Sequence, residues 1–429
     1  MENQSIRLYN LFPRYYENCL QWSQEFQRIK NMGFNAIYIN PFHYAGFSGS
    51  LYAPKDYYAI NPIFIDPISD KEPFEQLREM LQAAHDLKLK VIMDLVINHT
   101  AKDHTFTNEH CSWYVHDNNN ELMSPGAWEN GAWISWGDLA QIDNASSPDK
   151  EALWNYWKEL ICFYIDLGFD GFRADAAYQV PQDLWKELIQ TARNVSPHIL
   201  FFAESLGGTL EQSEVLAQCG FDYLFSSAKW WDFKEPWFFE QHNALSPLIK
   251  SIAFPESHDT ARVASELNNN IAIIKRKLSF TGLISAGWMI ITGTEYGWQH
   301  KPNVLTTSPS DKENMVLDLQ NFITNINHLR DQFPIFNSEG IIIPRDHENI
   351  SHILCFEKIN TTTDQCLLFV INKTISDTAF HTFNFTDFLQ SIETPQLIFS
   401  STDDYHFEQS QIPLKPAEIK LFLFEKRKS

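Results

Sequence analysis

Residues 169–177 read FDGFRADAA and residues 199–205 read ILFFAES. Each is a short apolar run that closes on an acid, Asp175 in the first and Glu204 in the second. Ahead of the first run, Leu153, Trp157, Leu160 and Tyr164 recur at three- and four-residue steps until Gly168, the signature of a helix packed on one face. Working outward, the alternation of apolar run and amphipathic segment extends from about residue 5 to residue 300. FNAIYIN (34–40) and VIMDLV (91–96) read as buried strands, with Phe74, Leu77, Leu81 and Ala84 marking a helix between them. Ser251–Phe254 and Trp288–Thr292 continue the series. Strands separated by helices make parallel βαβ units. About eight such units fit before residue 335, which predicts an α/β protein built on a (β/α)8 barrel.

Two stretches depart from the rhythm. Between His99 and about Asn144 the chain is aromatic and rich in Asn and Gly, with weak periodicity; a connection that long is more often functional than idle. It is expected to form a small inserted domain, 101–147, after the third strand, leaving 1–100 and 148–335 as the barrel. Beyond it, Ser351–Phe356, Cys366–Asn372 and Ala417–Phe424 read as strands parted by turn residues such as NTTTD and STDD. Residues 340–429 are therefore expected to be a C-terminal antiparallel β-sandwich domain. Apolar residues on both faces of 417–424 predict a strand packed within its own sandwich and against the barrel helices, so this domain should act through stability.

Composition narrows the partners. Among 429 residues, 33 Lys and Arg stand against 54 Asp and Glu, a formal charge of −21. Such a field repels phosphate polyanions and anionic membranes, so neither nucleic acid nor a membrane surface is expected as a partner. The first residues carry no basic and apolar leader, and the longest uncharged run, Leu278–Thr294, is short of the ~20 apolar residues of a spanning helix. A cytoplasmic protein, or one exported without a classical signal, follows, as a monomer or weak oligomer. The six cysteines form no C-x-x-C pair and read as free thiols.

Polar residues sit directly after the apolar runs: Asp94, Asn98 and His99 in DLVINHT, Arg173 and Asp175 in GFRADAA, Glu204 in FFAES, His258 and Asp259 in FPESHDT. In a barrel those positions face the catalytic end. One acid after a strand is ordinarily a helix N-cap. Four strand ends with acids, two of them beside His or Arg, are not explained by capping. Asp175 and Glu204 lie 29 positions apart, about one βα unit, so neighbouring strands would present them side by side. Adjacent carboxyls suit retaining glycosidic cleavage, one attacking the anomeric carbon while the other protonates the leaving oxygen.

DLVINHT, GFRADAA, FFAES and ESHDT, in this order, resemble the four short regions of the α-amylase superfamily, glycoside hydrolase family 13. GDLAQID around Asp138, GSLYAPKDYYAINP from Gly49 and WMIITGTEYG from Trp288 extend the resemblance along the barrel. The resemblance implies Asp175 as nucleophile, Glu204 as general acid then base, and Asp259 as the acid that binds the sugar 2- and 3-hydroxyls. Arg173 would hold Asp175 ionised, His99 and His258 would hydrogen-bond the sugar at subsite −1, and Tyr52 would stack on it. Asp94 would support the site, with Asp56 close by. It implies no required cofactor. A structural calcium, with Asn98 and Asp138 as oxygen donors, stays open, because Tyr178 and Gln179 replace the Lys-His pair of many α-amylases. One or two of Trp133, Trp136, Trp230 and Trp231 would stack on glucose rings.

The activity so implied is hydrolysis of α-1,4-glucosidic bonds in glycogen, starch or maltodextrins through a covalent glycosyl-enzyme. The alternative is an α-glucan transglycosylase, a maltosyl- or glucanotransferase or branching type, using the same residues.

Overall fold

The computed structural model describes residues 5–129, 132–345, 351–360, 365–376, 381–384, 395–405 and 411–425. Eight strands close into a barrel: β1 (Arg7–Leu11), β2 (Ala36–Ile39), β3 (Lys90–Leu95), β4 (Gly171–Ala174), β5 (Leu200–Ala203), β6 (Tyr223–Phe225), β7 (Lys250–Ala253) and β8 (Gly287–Ile291). They neighbour one another in chain order and pair in parallel, as the alternation of run and helix requires. The α/β barrel expected from the sequence is the fold.

The chain divides into two compact units, Leu8–Phe225 with Lys301–Glu313, and Met1–Arg7 with Ser226–His300 and Asn314–Ser429. In the first, the helix Pro73–Asp86 starts on a capping box between Glu72 and Glu75 with Pro73 at its first position, and buries Leu77, Met80, Leu81 and Ala84. The helix Lys150–Leu167 buries Leu153, Trp157, Leu160 and Tyr164 and stops at Gly168, whose φ of +121° favours glycine. The stretch after β3 contains two antiparallel pairs, His99–Ala101 with Leu139–Gln141 and Gly126–Glu129 with Ala132–Ser135. Where it rejoins the barrel, the Asn144 amide donates to Ile97 O (2.8 Å) and its oxygen accepts from Trp157 Nε1 (3.0 Å).

In the second unit, β9 (Ile341–Pro344), β10 (Ile353–Ile359), β11 (Gln365–Asn372), β12 (Gln396–Ser400) and β13 (Ile419–Glu425) form an antiparallel sheet in the order β9-β10-β11-β13-β12. A two-stranded sheet, His381–Asn384 with Gln411–Leu414, covers one face: Ile412 and Leu414 join Ile353, Cys355, Cys366, Leu368, Val370, Phe422 and Phe424 in one core. On the opposite face Phe356 stacks on Phe369 (4.6 Å between ring centres) and meets Trp231, while the Lys358 ammonium donates to Ile284 O (2.7 Å) at the end of a barrel helix. Both faces of the β13 strand are thus occupied. All six thiols are free, four of them buried. Among the described residues no helix is long and apolar enough to cross a membrane.

Candidate active site

Parallel register sets the site. Arg173 in β4 lies beside Asp94 in β3, and Ala174 beside Ala203 in β5, so Asp175 and Glu204 follow on adjacent strands. Alternation along β4 puts Asp175 on the same side as Arg173. The Arg173 guanidinium is almost wholly buried. It donates to Asp94 Oδ1 (2.9 Å) and Asp175 Oδ1 (2.5 Å) and lies 3.6 Å from Glu204 Oε2. One cation thus serves three carboxylates. Burial works against its charge, yet Asp94, Tyr38 and Asp175 more than offset that and hold its pKa well above the usual value. Glu204 Oε2 also accepts from Ala176 N (2.7 Å), and Ala176 adopts a left-handed conformation, φ +42°, directly after the candidate nucleophile. That is strained backbone for a residue other than glycine.

Asp94 is fully buried, and its Oδ2 accepts from Tyr38 (2.5 Å) and Tyr52 (2.6 Å). The Asn40 amide donates to the Tyr52 hydroxyl (2.9 Å), and Asn10 Nδ2 donates to Asn40 Oδ1 (2.8 Å). With Asn40 donating to it, the Tyr52 hydroxyl is left to donate to Asp94. His99 is buried, with Nε2 at 3.0 Å from Tyr52 O; burial holds its pKa down to about 4, so the imidazole is neutral near pH 7. The Trp136 indole lies edge-on to it, 6.0 Å between ring centres.

The remaining expected residues divide. In the second unit, His258 is buried and its Nε2 lies 2.9 Å from Asp259 Oδ2, while the Asp259 side chain is 66% exposed. Asp56 is not brought to the Arg173 cluster: it is exposed, and its carboxylate folds back to accept from Tyr58 N (2.8 Å). Trp231 is core, 2% exposed, whereas Trp133 and Trp230 are half exposed. Of the two residues expected to hold calcium, the Asn98 amide N–H donates to Gln179 Oε1 (2.9 Å) and the Asp138 backbone carbonyl accepts from Lys102 N (3.0 Å); no three His, Cys, Asp or Glu converge among the described residues. Gln179 Nε2 turns instead to Gly126 O (3.1 Å).

Sequence reading missed Tyr38, Asn10 and Asn40. A Tyr or Asn inside an apolar run carries no sequence signal of its own; only strand register brings residues 10, 38, 40 and 94 together.

An eight-stranded parallel barrel with an arginine-linked set of acids at its strand ends defines the class. Residues 23–205 match the family model of the α-amylase catalytic domain, and over that stretch the chain is similar to this family. A curated relative, the α-1,4-glucan:maltose-1-phosphate maltosyltransferase of Burkholderia pseudomallei, is 27% identical over 289 residues, 64% of this chain and 24% of that protein. The enzyme of the same name from Picrophilus torridus is 22% identical over 78% of this chain and 55% of its own length. The β/α-amylase of Paenibacillus polymyxa is 23% identical over 92% of this chain and 33% of its own length. The chain therefore spans between a quarter and about half of these relatives. Among solved structures, an α-amylase from Lactobacillus plantarum superimposes with a TM-score of 0.77 at 21% identity, covering 97% of this chain and 98% of that one; this likeness concerns the fold.

Proposed function

We propose that the chain is a retaining enzyme of α-1,4-glucans that passes the glycosyl unit to a sugar hydroxyl in preference to water. The observation that carries the retaining mechanism is the Arg173 guanidinium, bonded to Asp175 at 2.5 Å and 3.6 Å from Glu204, which sets two carboxyls of adjacent strands on one cation. Asp175 attacks the anomeric carbon as Glu204, protonated, gives its proton to the departing glycosidic oxygen. The C–O bond to the leaving sugar breaks and an ester to Asp175 forms. In the second half, Glu204 takes a proton from the incoming hydroxyl, whose oxygen displaces Asp175 and restores the original anomeric configuration. Arg173 keeps Asp175 anionic for attack and supports it as a leaving group. Asp259 binds the sugar hydroxyls, and His99 and His258 hydrogen-bond the same ring. No step uses a metal.

Transfer is placed ahead of hydrolysis because, of the three relatives described above, the one with the highest identity (27%) carries a transferase name. Hydrolysis is the second reading, favoured by the β/α-amylase relative. Incubation with maltoheptaose and with glycogen, products resolved over time, separates them. Transfer gives longer or branched chains without new reducing ends; hydrolysis gives rising reducing ends. Proton NMR of the first product should show the α-anomer at the newly formed centre, and a β-anomer would overturn the double displacement.

A further inference from the structure

Within the first unit, three loops that follow barrel strands meet on one guanidinium. Arg14 lies in the turn Pro13–Tyr15 after β1. Its Nη2 donates to Gly49 O (2.6 Å) in the loop after β2, and its Nε donates to Val304 O (2.9 Å) in the segment Lys301–Glu313 that follows β8. Val304 O also accepts from Leu51 N (3.2 Å), so the joint ties the two outer loops to each other as well as to Arg14. Among the described residues no acid pairs with Arg14, and partial burial lowers its pKa. Structural arginines are ordinarily paired; this one is given over to two carbonyls. A guanidinium carries its donors in a rigid fork, which fixes the spacing of two carbonyls as an ammonium on a flexible stem does not.

Both loops that the fork joins are themselves firm. Residues 46–53 close on Gly46 N to Ala53 O (2.9 Å), Gly49 N to Gly46 O (2.9 Å) and Ala53 N to Ser50 O (3.0 Å), with Gly49 at φ +76°. In the segment after β8, the Asn303 side-chain oxygen accepts from Leu305 N (2.8 Å) and Asn303 N donates to Thr307 Oγ1 (2.7 Å). Farther along, the Lys312 ammonium sits over the Tyr16 ring, 4.0 Å from its centre. What the joint fixes is Tyr52. Leu51, 1% exposed, directly precedes it. Tyr52 O lies 3.0 Å from His99 Nε2, and the Tyr52 hydroxyl donates to Asp94 (2.6 Å), the partner of Arg173. The side chain is thus held at its tip by the acid cluster and at its backbone by the Arg14 joint.

Resting on the proposed function, we infer that Arg14 is a positioning residue for the reaction: by joining the loop after β8 to the loop after β2, it sets where the Tyr52 ring stands beside the sugar that is cleaved. Its effect passes through Tyr52 and not through the fold at large. A ring held in place before substrate arrives loses little freedom on binding. A misplacement of about 1 Å near reacting atoms costs on the order of 10²-fold in rate, so a brace two residues removed from the ring is felt in the kinetics.

The test is a double-mutant cycle on initial rates with maltoheptaose: wild type, Arg14→Gln, Tyr52→Ala and the pair, with thermal melting as the fold control. Arg14→Gln should lower kcat/KM about five- to twentyfold in the wild-type background and less than about twofold once Tyr52 is replaced. A residue that only supports the fold would cost the same factor in both backgrounds, and that result overturns the inference. An Arg14→Gln enzyme with wild-type kcat/KM overturns it too. Should Arg14→Gln not fold, Arg14→Lys, which keeps the charge and loses the fork, takes its place in the cycle with the same outcomes. Hydrogen exchange over residues 49–53 needs no substrate and should be faster in the Arg14 variant; an unchanged rate overturns the brace. A wild type that turns over no glucan removes the proposed function separately, and the exchange rates then still decide whether Arg14 holds the Tyr52 segment.

Discussion

Arg173 and Arg262 are both buried, and they are built to opposite specifications. Arg262 and Glu256 are both 0% exposed and 3.1 Å apart. Every neighbour completes the pair: Arg262 donates to His300 O and Thr292 O, and Glu256 accepts from Thr294 Oγ1 (2.6 Å) and from Val263 N. The pair is sealed from solvent on both sides. Arg173 instead meets three carboxylates, and two of them, Asp175 and Glu204, keep 13% and 15% of their side chains open. A closed pair holds structure. An unbalanced and partly open one stores negative charge where a cationic transition state can form.

The largest break in that comparison is Asp175→Asn, which should cut glucan turnover roughly 10⁴-fold or more while urea unfolding stays as in wild type. Glu204→Gln should follow at about 10²–10⁴-fold, least for substrates with good leaving groups, which need no proton. Turnover near wild type in either variant would remove the mechanism. Glu256→Gln should do the reverse kind of damage. Gln cannot neutralise Arg262, and stranding one partner of a buried pair costs about 3–5 kcal/mol, read as a lower urea midpoint. An unmoved midpoint would show that the closed pair is not structural.

The two clusters were unequally legible. GFRADAA and FFAES expose Arg173, Asp175 and Glu204 because charge after an apolar run is conspicuous. Within ESHDT the sequence shows Glu256, His258 and Asp259 alike, and only burial tells that Glu256 is sealed while Asp259 is open. β6 passed unread, since Tyr223–Phe225 is three residues long and too short for a period to register. Asp56 misled because its motif runs along a hairpin strand, Pro54–Ile60, where alternate side chains face opposite ways. The β tail was readable because its strands alternate with plain turn residues.

A third prediction concerns the first unit's imidazoles. Burial holds His43 down to about 3 and His99 and His104 to about 4, all below the ordinary 6.5. The unfolded chain takes up protons that the folded one refuses, so stability is intact above about pH 6.5 and falls as pH drops toward 4. Each histidine contributes about 1.4 kcal/mol per pH unit inside that window. Urea midpoints should therefore decline from pH 7 to pH 5, and less steeply in His43→Gln. A flat profile would mean that these imidazoles protonate inside the fold.

The smallest effect gives the sharpest comparison, because the same kind of bond can be removed from each cluster. Tyr38→Phe deletes one donor to Asp94 (2.5 Å), and Thr294→Val deletes one donor to Glu256 (2.6 Å). A hydrogen bond to a charged group contributes about 1.5–3 kcal/mol. At Asp94 the loss is softened, since Tyr52 and Arg173 still donate and no carboxylate is stranded. It changes how firmly Arg173 is drawn toward Asp94 and away from Asp175, so it should appear in kcat/KM, about tenfold down, with little change in melting. At Glu256 no reacting group depends on the bond, so the loss should appear in the urea midpoint and leave kcat/KM where it was. The opposite pattern, Tyr38→Phe only less stable and Thr294→Val only slower, would show that charge balance does not divide the structural arginine from the reactive one.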